Sequence, residues 1–66
     1  MITVNGRDRI AWEPATSVQD VLNAMGWAFP LIVATVNDER VKPEDFASYE
    51  VPDEADVRLI HIMHGG

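Results

Sequence analysis

The sequence ends His64-Gly65-Gly66, directly after an apolar stretch that reads as a strand. Two closing glycines arise by chance in roughly 0.5% of chains, given an average glycine content of about 7%. The dipeptide alone is therefore a modest signal, and its place behind a core strand adds to it. Glycine has no side chain and takes unusual backbone angles without strain. Such a tail threads a narrow channel and delivers its terminal carboxylate to the interior of an enzyme. A carboxylate is a poor electrophile. Adenylation by ATP makes it a mixed anhydride that sulfur or amine nucleophiles attack. The plain alternative is a frayed terminus with no role.

Other residues with chemical potential are less telling. His61 and His64 are three apart, which on a strand places them on opposite faces and unsuits them to chelate one metal. There is no cysteine to complete a metal set or act as a nucleophile. Glu44-Asp45 and Asp53-Glu54 read as solvated turns. An enzyme needs an acid–base pair in a concave site. A chain with no Gly-rich loop and no Ser/His/Asp set has little room for one. No catalytic residue, metal ligand or bound cofactor is expected.

The elements that position the tail follow from local patterns. Residues 1–5 and 9–13 read as a hairpin, with Ile2/Val4 and Ile10/Trp12 at alternating positions and Asn5-Gly6 as the turn. Asn5-Gly6-Arg7-Asp8 exceeds the minimal loop and leaves room for a bulge. Pro14 ends the second strand. Ser17 then suits an N-cap with Asp20 three residues on. Val18, Val21, Leu22 and Met25 share one helical face, and Gly26 suits the C-cap, so a helix is expected over 18–25. Pro30 opens a nearly continuous apolar strand, Leu31 to Val36, of the kind buried inside a sheet. Residues 37–40 turn the chain. Val41 begins a short edge segment, Pro43 a helical turn carrying Phe46, and Tyr49 with Val51 a short strand. After the polar turn 52–56, the last strand runs from Val57 to about Met63.

One helix covers only one face of a sheet. In the last strand Val57, Leu59 and His61 alternate with Arg58, Ile60 and Ile62. If the first set faces the helix, Ile60 and Ile62 lie on the open face with Arg58. Leu31, Val33 and Thr35, or their alternates, join them there. An apolar patch on the open face of a small domain marks a docking surface.

Composition sets the limits. Sixty-six residues make one domain, 1–66, that is 47% hydrophobic and so too apolar to be disordered. A domain this small buries only about 60% of its unfolded surface, so without disulfides its stability is modest. No apolar run reaches the roughly 20 residues of a membrane helix, and the start lacks the pattern of a signal peptide. The cytoplasm is the expected compartment. Eleven acids against five bases give a net charge of −6. The bases, Arg7, Arg9, Arg40, Lys42 and Arg58, are scattered along the chain, which argues against nucleic-acid or membrane binding. The acidity either steers the domain toward a basic protein surface or provides solubility.

The whole chain resembles the small sulfur carriers of the ThiS/MoaD family. The resemblance is carried by Ile2-Thr3-Val4-Asn5-Gly6, by Ser17-Val18-Gln19-Asp20-Val21-Leu22 (similar to the family's T-V-x-D-L-L), by Val36-Asn37 with Val41 following, and by the ungapped run from Val57 to Gly65-Gly66. Short length and lack of insertions favour the ThiS side, which serves thiamine thiazole synthesis. MoaD-type chains are longer and usually carry Pro-Pro before the tail, where this one has His61-Ile62-Met63-His64. A departure is Asp53-Glu54-Ala55, which stands where the family often has D-G-D, so Glu54 replaces a glycine of positive φ.

The resemblance implies an α+β fold of the ubiquitin-like β-grasp type, a mixed sheet of four to five strands on one helix, with a flexible Gly-Gly tail. It implies that a ubiquitin-activating-enzyme-like adenylyltransferase, using ATP and magnesium, adenylates the Gly66 carboxylate. A cysteine desulfurase persulfide or another sulfur donor then converts it to a thiocarboxylate, and thiazole synthase takes the sulfur. Gly65, His64 and Met63 would form the tail that enters these partners. Ile60, Ile62 and Arg58, with the acidic surface, would dock on them. The carrier is expected to be a monomer on its own. Alternatives are a sulfur carrier for molybdopterin or amino-acid biosynthesis, a β-grasp interaction module with an incidental Gly-Gly, and a modifier joined to lysines.

Overall fold

The computed structural model describes residues 1–27 and 31–62. Five strands form a mixed sheet. They are β1 (Ile2–Val4), β2 (Asp8–Ile10), β3 (Ile32–Val36), β4 (Glu39–Val41) and β5 (Asp56–His61). The order across the sheet is β2-β1-β5-β3-β4. β1 pairs antiparallel with β2 and parallel with β5. β3 pairs antiparallel with both β5 and β4. Among the described residues a single α-helix, α1 (Val18–Met25), covers one face, and a 3-10 turn (Pro43–Asp45) follows β4. This is the expected α+β architecture at its upper strand count. Among the described residues no helix is long and apolar enough to cross a membrane.

Helix α1 starts and stops where its capping residues dictate. Ser17 Oγ accepts from the Asp20 amide at 3.1 Å, and Asp20 Oδ2 accepts from the Ser17 amide at 2.9 Å, a complete capping box. The first two helical amides donate outward, Val18 to the Tyr49 carbonyl and Gln19 to the Phe46 carbonyl. Gly26, at φ 72°, ends the helix, and the Trp27 amide returns to the Leu22 carbonyl at 2.9 Å. Val18, Val21 and Leu22 are buried against Ile2, Val4, Ala34, Val36, Val57 and Leu59.

Several expectations need correction. β2 ends at Ile10 rather than residue 13, because Trp12 leaves the ladder to donate its indole N–H to the Val51 carbonyl at 2.7 Å. Glu39 and Arg40 belong to β4 and not to the turn, because Asn37 and Asp38, at φ 50° and 69°, close a two-residue hairpin by themselves. Tyr49 and Val51 do not form a strand. Their segment bonds to the entry of α1, the Val51 amide to the Thr16 carbonyl at 2.7 Å, with a single bridge from Glu50 to Ser17. β3 is interior to the sheet but buried on one side only: Ile32, Ala34 and Val36 are buried while Val33 and Thr35 are half-buried. β3 starts at Ile32 and β5 ends at His61; Pro30 and Met63 lie outside the described residues.

The central strand β5 is held by more than its ladders. Asn5 donates its amide to the Val57 carbonyl and accepts from the Leu59 amide through Oδ1, both at 2.8 Å. Asn37 does the same around Asp56, donating to its carbonyl and accepting its amide, both at 2.9 Å. Each asparagine sits at positive φ in a hairpin turn, a conformation asparagine tolerates. Each extends its neighbouring strand's grip on β5 beyond the end of that strand.

Candidate functional site

The sheet face opposite α1 is built from the outward residues of all five strands. The registers arrange them in rows across the sheet. Arg9 and Asp56 flank Thr3. Arg58 and Arg40 flank Thr35. Ile60 lies beside Val33. Alternation settles which way each points, since the neighbours Val4, Ala34, Val36, Val41, Val57 and Leu59 are buried on the helix side.

Ile60 is 57% exposed, and Leu31 and Ile62 47% each, which makes this end of the open face an apolar patch. The Ile62 amide donates to the Leu31 carbonyl at 3.1 Å, so the β3–β5 pairing carries past His61 and holds both residues at the sheet's end. Arg58 lies one row back from Ile60 and reaches Asp56 Oδ2 at 3.4 Å across two exposed side chains. An exposed pair of this kind contributes little to stability and leaves the guanidinium accessible.

The structure thus brings Arg58, Ile60 and Ile62 to one face, beside the end of β5. His61 is half-buried, has the helix-side parity and pairs with Ile32. Met63, His64, Gly65 and Gly66 lie outside the described residues. Linear order hides the company that Arg58 keeps. The bases read as scattered, yet Arg9 and Arg40 share its face. Strand alternation in β2 and β4, applied to the polar positions as well as the apolar ones, is the signal that finds them.

Among the described residues, no three His, Cys, Asp or Glu converge as they would around a metal ion. A concavity beside β4, lined by Arg40, Lys42, Pro43 and Glu44, is broad and open. Tyr49 has its pKa raised above 10.0, first by burial, then by the charge of Glu39 and by its hydrogen bond to Glu39 Oε1 at 3.3 Å. It lies on the helix side, away from the open face.

No family model matches the sequence, and no curated protein matches it either. Among solved structures, the chain is similar to the crystal structure of the thiamine biosynthesis protein ThiS from Geobacter metallireducens. The two are 27% identical, the match covers 98% of this chain and 97% of the other, and the TM-score is 0.77. The likeness therefore extends over nearly the whole chain, whose fold matches the ubiquitin-like β-grasp of ThiS.

Proposed function

We propose that this protein is a sulfur carrier for the thiazole ring of thiamine, a substrate of enzymes and not an enzyme itself. The reading rests on one observation above others: end-to-end structural similarity to a thiamine biosynthesis protein, taken together with Gly65-Gly66 in this sequence. In this reading an adenylyltransferase binds ATP and magnesium, and the Gly66 carboxylate attacks the nucleotide with loss of pyrophosphate. The terminal sulfur of a cysteine desulfurase persulfide displaces AMP to form an acyl disulfide, and a thiol then cleaves its S–S bond, releasing the thiocarboxylate and leaving a disulfide; a sulfide-level donor would give the thiocarboxylate directly. Thiazole synthase then takes the sulfur. The carrier contributes presentation. β5 is clamped between β1 and β3, so the residues after His61 leave from a fixed base, and Ile60, Ile62 and Arg58 beside that base form the docking patch.

Intact mass, after incubation with the adenylyltransferase, magnesium-ATP and a sulfur source, tests the reading. The expected change is one oxygen replaced by sulfur, located at Gly66 by fragmentation. A variant lacking Gly66 is expected to keep its fold and lose the modification entirely. An unchanged mass with an active cognate activating enzyme would overturn the proposal. An isopeptide product on lysine would reassign the chain as a protein modifier.

A further inference from the structure

The chain has three asparagines, Asn5, Asn23 and Asn37, and all are exposed. Only Asn5 precedes a glycine; Ala24 follows Asn23 and Asp38 follows Asn37. An asparagine side-chain amide is open to attack by the backbone nitrogen of the next residue, and a side chain on that residue crowds the approach. Gly6 has none, and beyond its chain neighbours no heavy atom lies within 4 Å of where a Cβ would stand. The folded turn nevertheless holds the two groups apart. Asn5 at φ 54° and Gly6 at φ 67° form a type I′ turn, closed by the Arg7 amide on the Val4 carbonyl at 3.1 Å. In the left-handed region ψ is about +47°, which turns the Gly6 nitrogen nearly anti to the Asn5 Cβ. The side chain is fixed as well, because Oδ1 accepts from the Leu59 amide at 2.8 Å. Ring closure needs roughly half a turn about the Asn5 Cα–C bond. It also needs release from Leu59, so it requires the turn to lift off β5. The two strands of this hairpin have three residues each and β2 is an edge strand, which makes such an opening local.

We propose that Asn5-Gly6 is a self-modification site gated by its contact with β5. In the opened turn the Gly6 nitrogen bonds to Asn5 Cγ. The Cγ–Nδ2 bond breaks, and Nδ2 leaves as ammonia with the Gly6 proton, giving a succinimide. Water then opens the ring. Hydrolysis of the Cγ–N bond gives aspartate. Hydrolysis of the backbone C–N bond gives isoaspartate, whose main chain runs through Cγ. Aspartate keeps an oxygen where the Leu59 amide needs one. Isoaspartate lengthens the main chain by a carbon inside a tight turn and moves its free carboxylate off the side-chain position. The bonds from Asn5 to Val57 and Leu59 are then lost together. The site thus records each opening of the β1–β2 turn and, as isoaspartate, loosens the middle strand of the sheet. Asn37 serves as the internal comparison. It grips β5 in the same way, through the Asp56 amide at 2.9 Å, but its successor carries a side chain.

Peptide mapping by mass spectrometry, on protein held in mildly alkaline buffer with and without urea, tests the site and needs no partner. In urea, amide-to-acid conversion is expected to run about tenfold or more faster at Asn5 than at Asn23 or Asn37, a lead that Gly6→Ala removes. Without urea, conversion at Asn5 should slow by about tenfold or more, because only the opened turn reacts. Ile10, half-buried against the core and paired with Ile2, helps hold the hairpin shut. Ile10→Ala should therefore speed the native reaction severalfold and leave the rate in urea unchanged. The isoaspartate form, separated by chromatography, is expected to melt several degrees below Asn5→Asp, which should melt near wild type. Equal rates at Asn5 and Asn37 in urea would remove the site. Equal rates at Asn5 with and without urea would remove the gate. An isoaspartate form as stable as Asn5→Asp would show that the grip on β5 survives and overturn the loosening.

Discussion

The two faces of the sheet use the same strands for opposite ends. On the helix side, Ile2, Val4, Val21, Val57 and their neighbours are at or near zero exposure, and burial there supplies the stability of a domain with no disulfide. On the other side, side chains one residue away along the same strands are half-buried or exposed. In β5 the alternation is starkest: Leu59 is 3% exposed and the adjacent Ile60 57%. Two apolar residues of similar size, next to each other in sequence, therefore serve folding and recognition separately. Hydrophobicity alone does not distinguish these roles; the position of one helix does.

The sharpest break of that comparison is a pair of alanine substitutions. Leu59→Ala leaves a cavity under α1 and is expected to cost about 2–5 kcal/mol, enough to unfold much of a small domain. Ile60→Ala should change stability by no more than about 0.5 kcal/mol. Urea titration of both variants checks this. Equal losses would mean that Ile60 is part of the core and the face is not open.

A gain of stability in a loop sharpens it further. Glu54 holds φ 62° in the turn before β5, and Ala15 holds φ 67° after Pro14, where the Thr16 amide returns to the Glu13 carbonyl. A side chain in this region costs roughly 1–2 kcal/mol, against about 0.4–1 kcal/mol for the extra freedom of an unfolded glycine. Glu54→Gly is therefore expected to stabilise by about 0.5–1 kcal/mol and to raise the thermal midpoint by several degrees. The substitution touches neither face, so adenylation kinetics should not change. A change in KM would link the turn to docking.

The smallest effect belongs to the covered side alone. Tyr49 has a raised pKa, so the folded state holds its proton when the unfolded chain has released it. Its contribution to stability is intact below pH 10.0 and is lost as the pH rises through the higher folded value. Urea midpoints of wild type and Tyr49→Phe, compared between about pH 9 and about pH 11, should diverge only at the alkaline end. A parallel course would place Tyr49 in ordinary solvent.

Local signals made much of this readable in the sequence. The Ser17 cap, the acid at Asp20, the helical spacing of Val18, Val21 and Leu22 and the stop at Gly26 act within a few residues, so α1 runs over 18–25 as expected. Hairpin positions were legible for the same reason, and so was the outward parity of Arg58, Ile60 and Ile62. Non-local features were harder. Tyr49-Glu50-Val51 alternates like a strand, yet its partner is the helix entry, which no pattern within the segment reveals. The glycine position filled by Glu54 kept its backbone conformation despite the wrong residue. Arg9, Arg40 and Arg58 are far apart in sequence, and only the strand order makes them neighbours.

The placement of β5 also has a mechanical meaning. It is the middle strand, parallel to β1 on one side and antiparallel to β3 on the other, with Asn5 and Asn37 fastened to it. Ladder hydrogen bonds run across the strand axis. Tension applied to the residues after His61 acts along that axis, so it loads both ladders in shear, many bonds together. An edge strand peeled sideways would instead lose its bonds one at a time. A machine that draws the end of this chain into its interior would pull on the part of the domain least able to unzip.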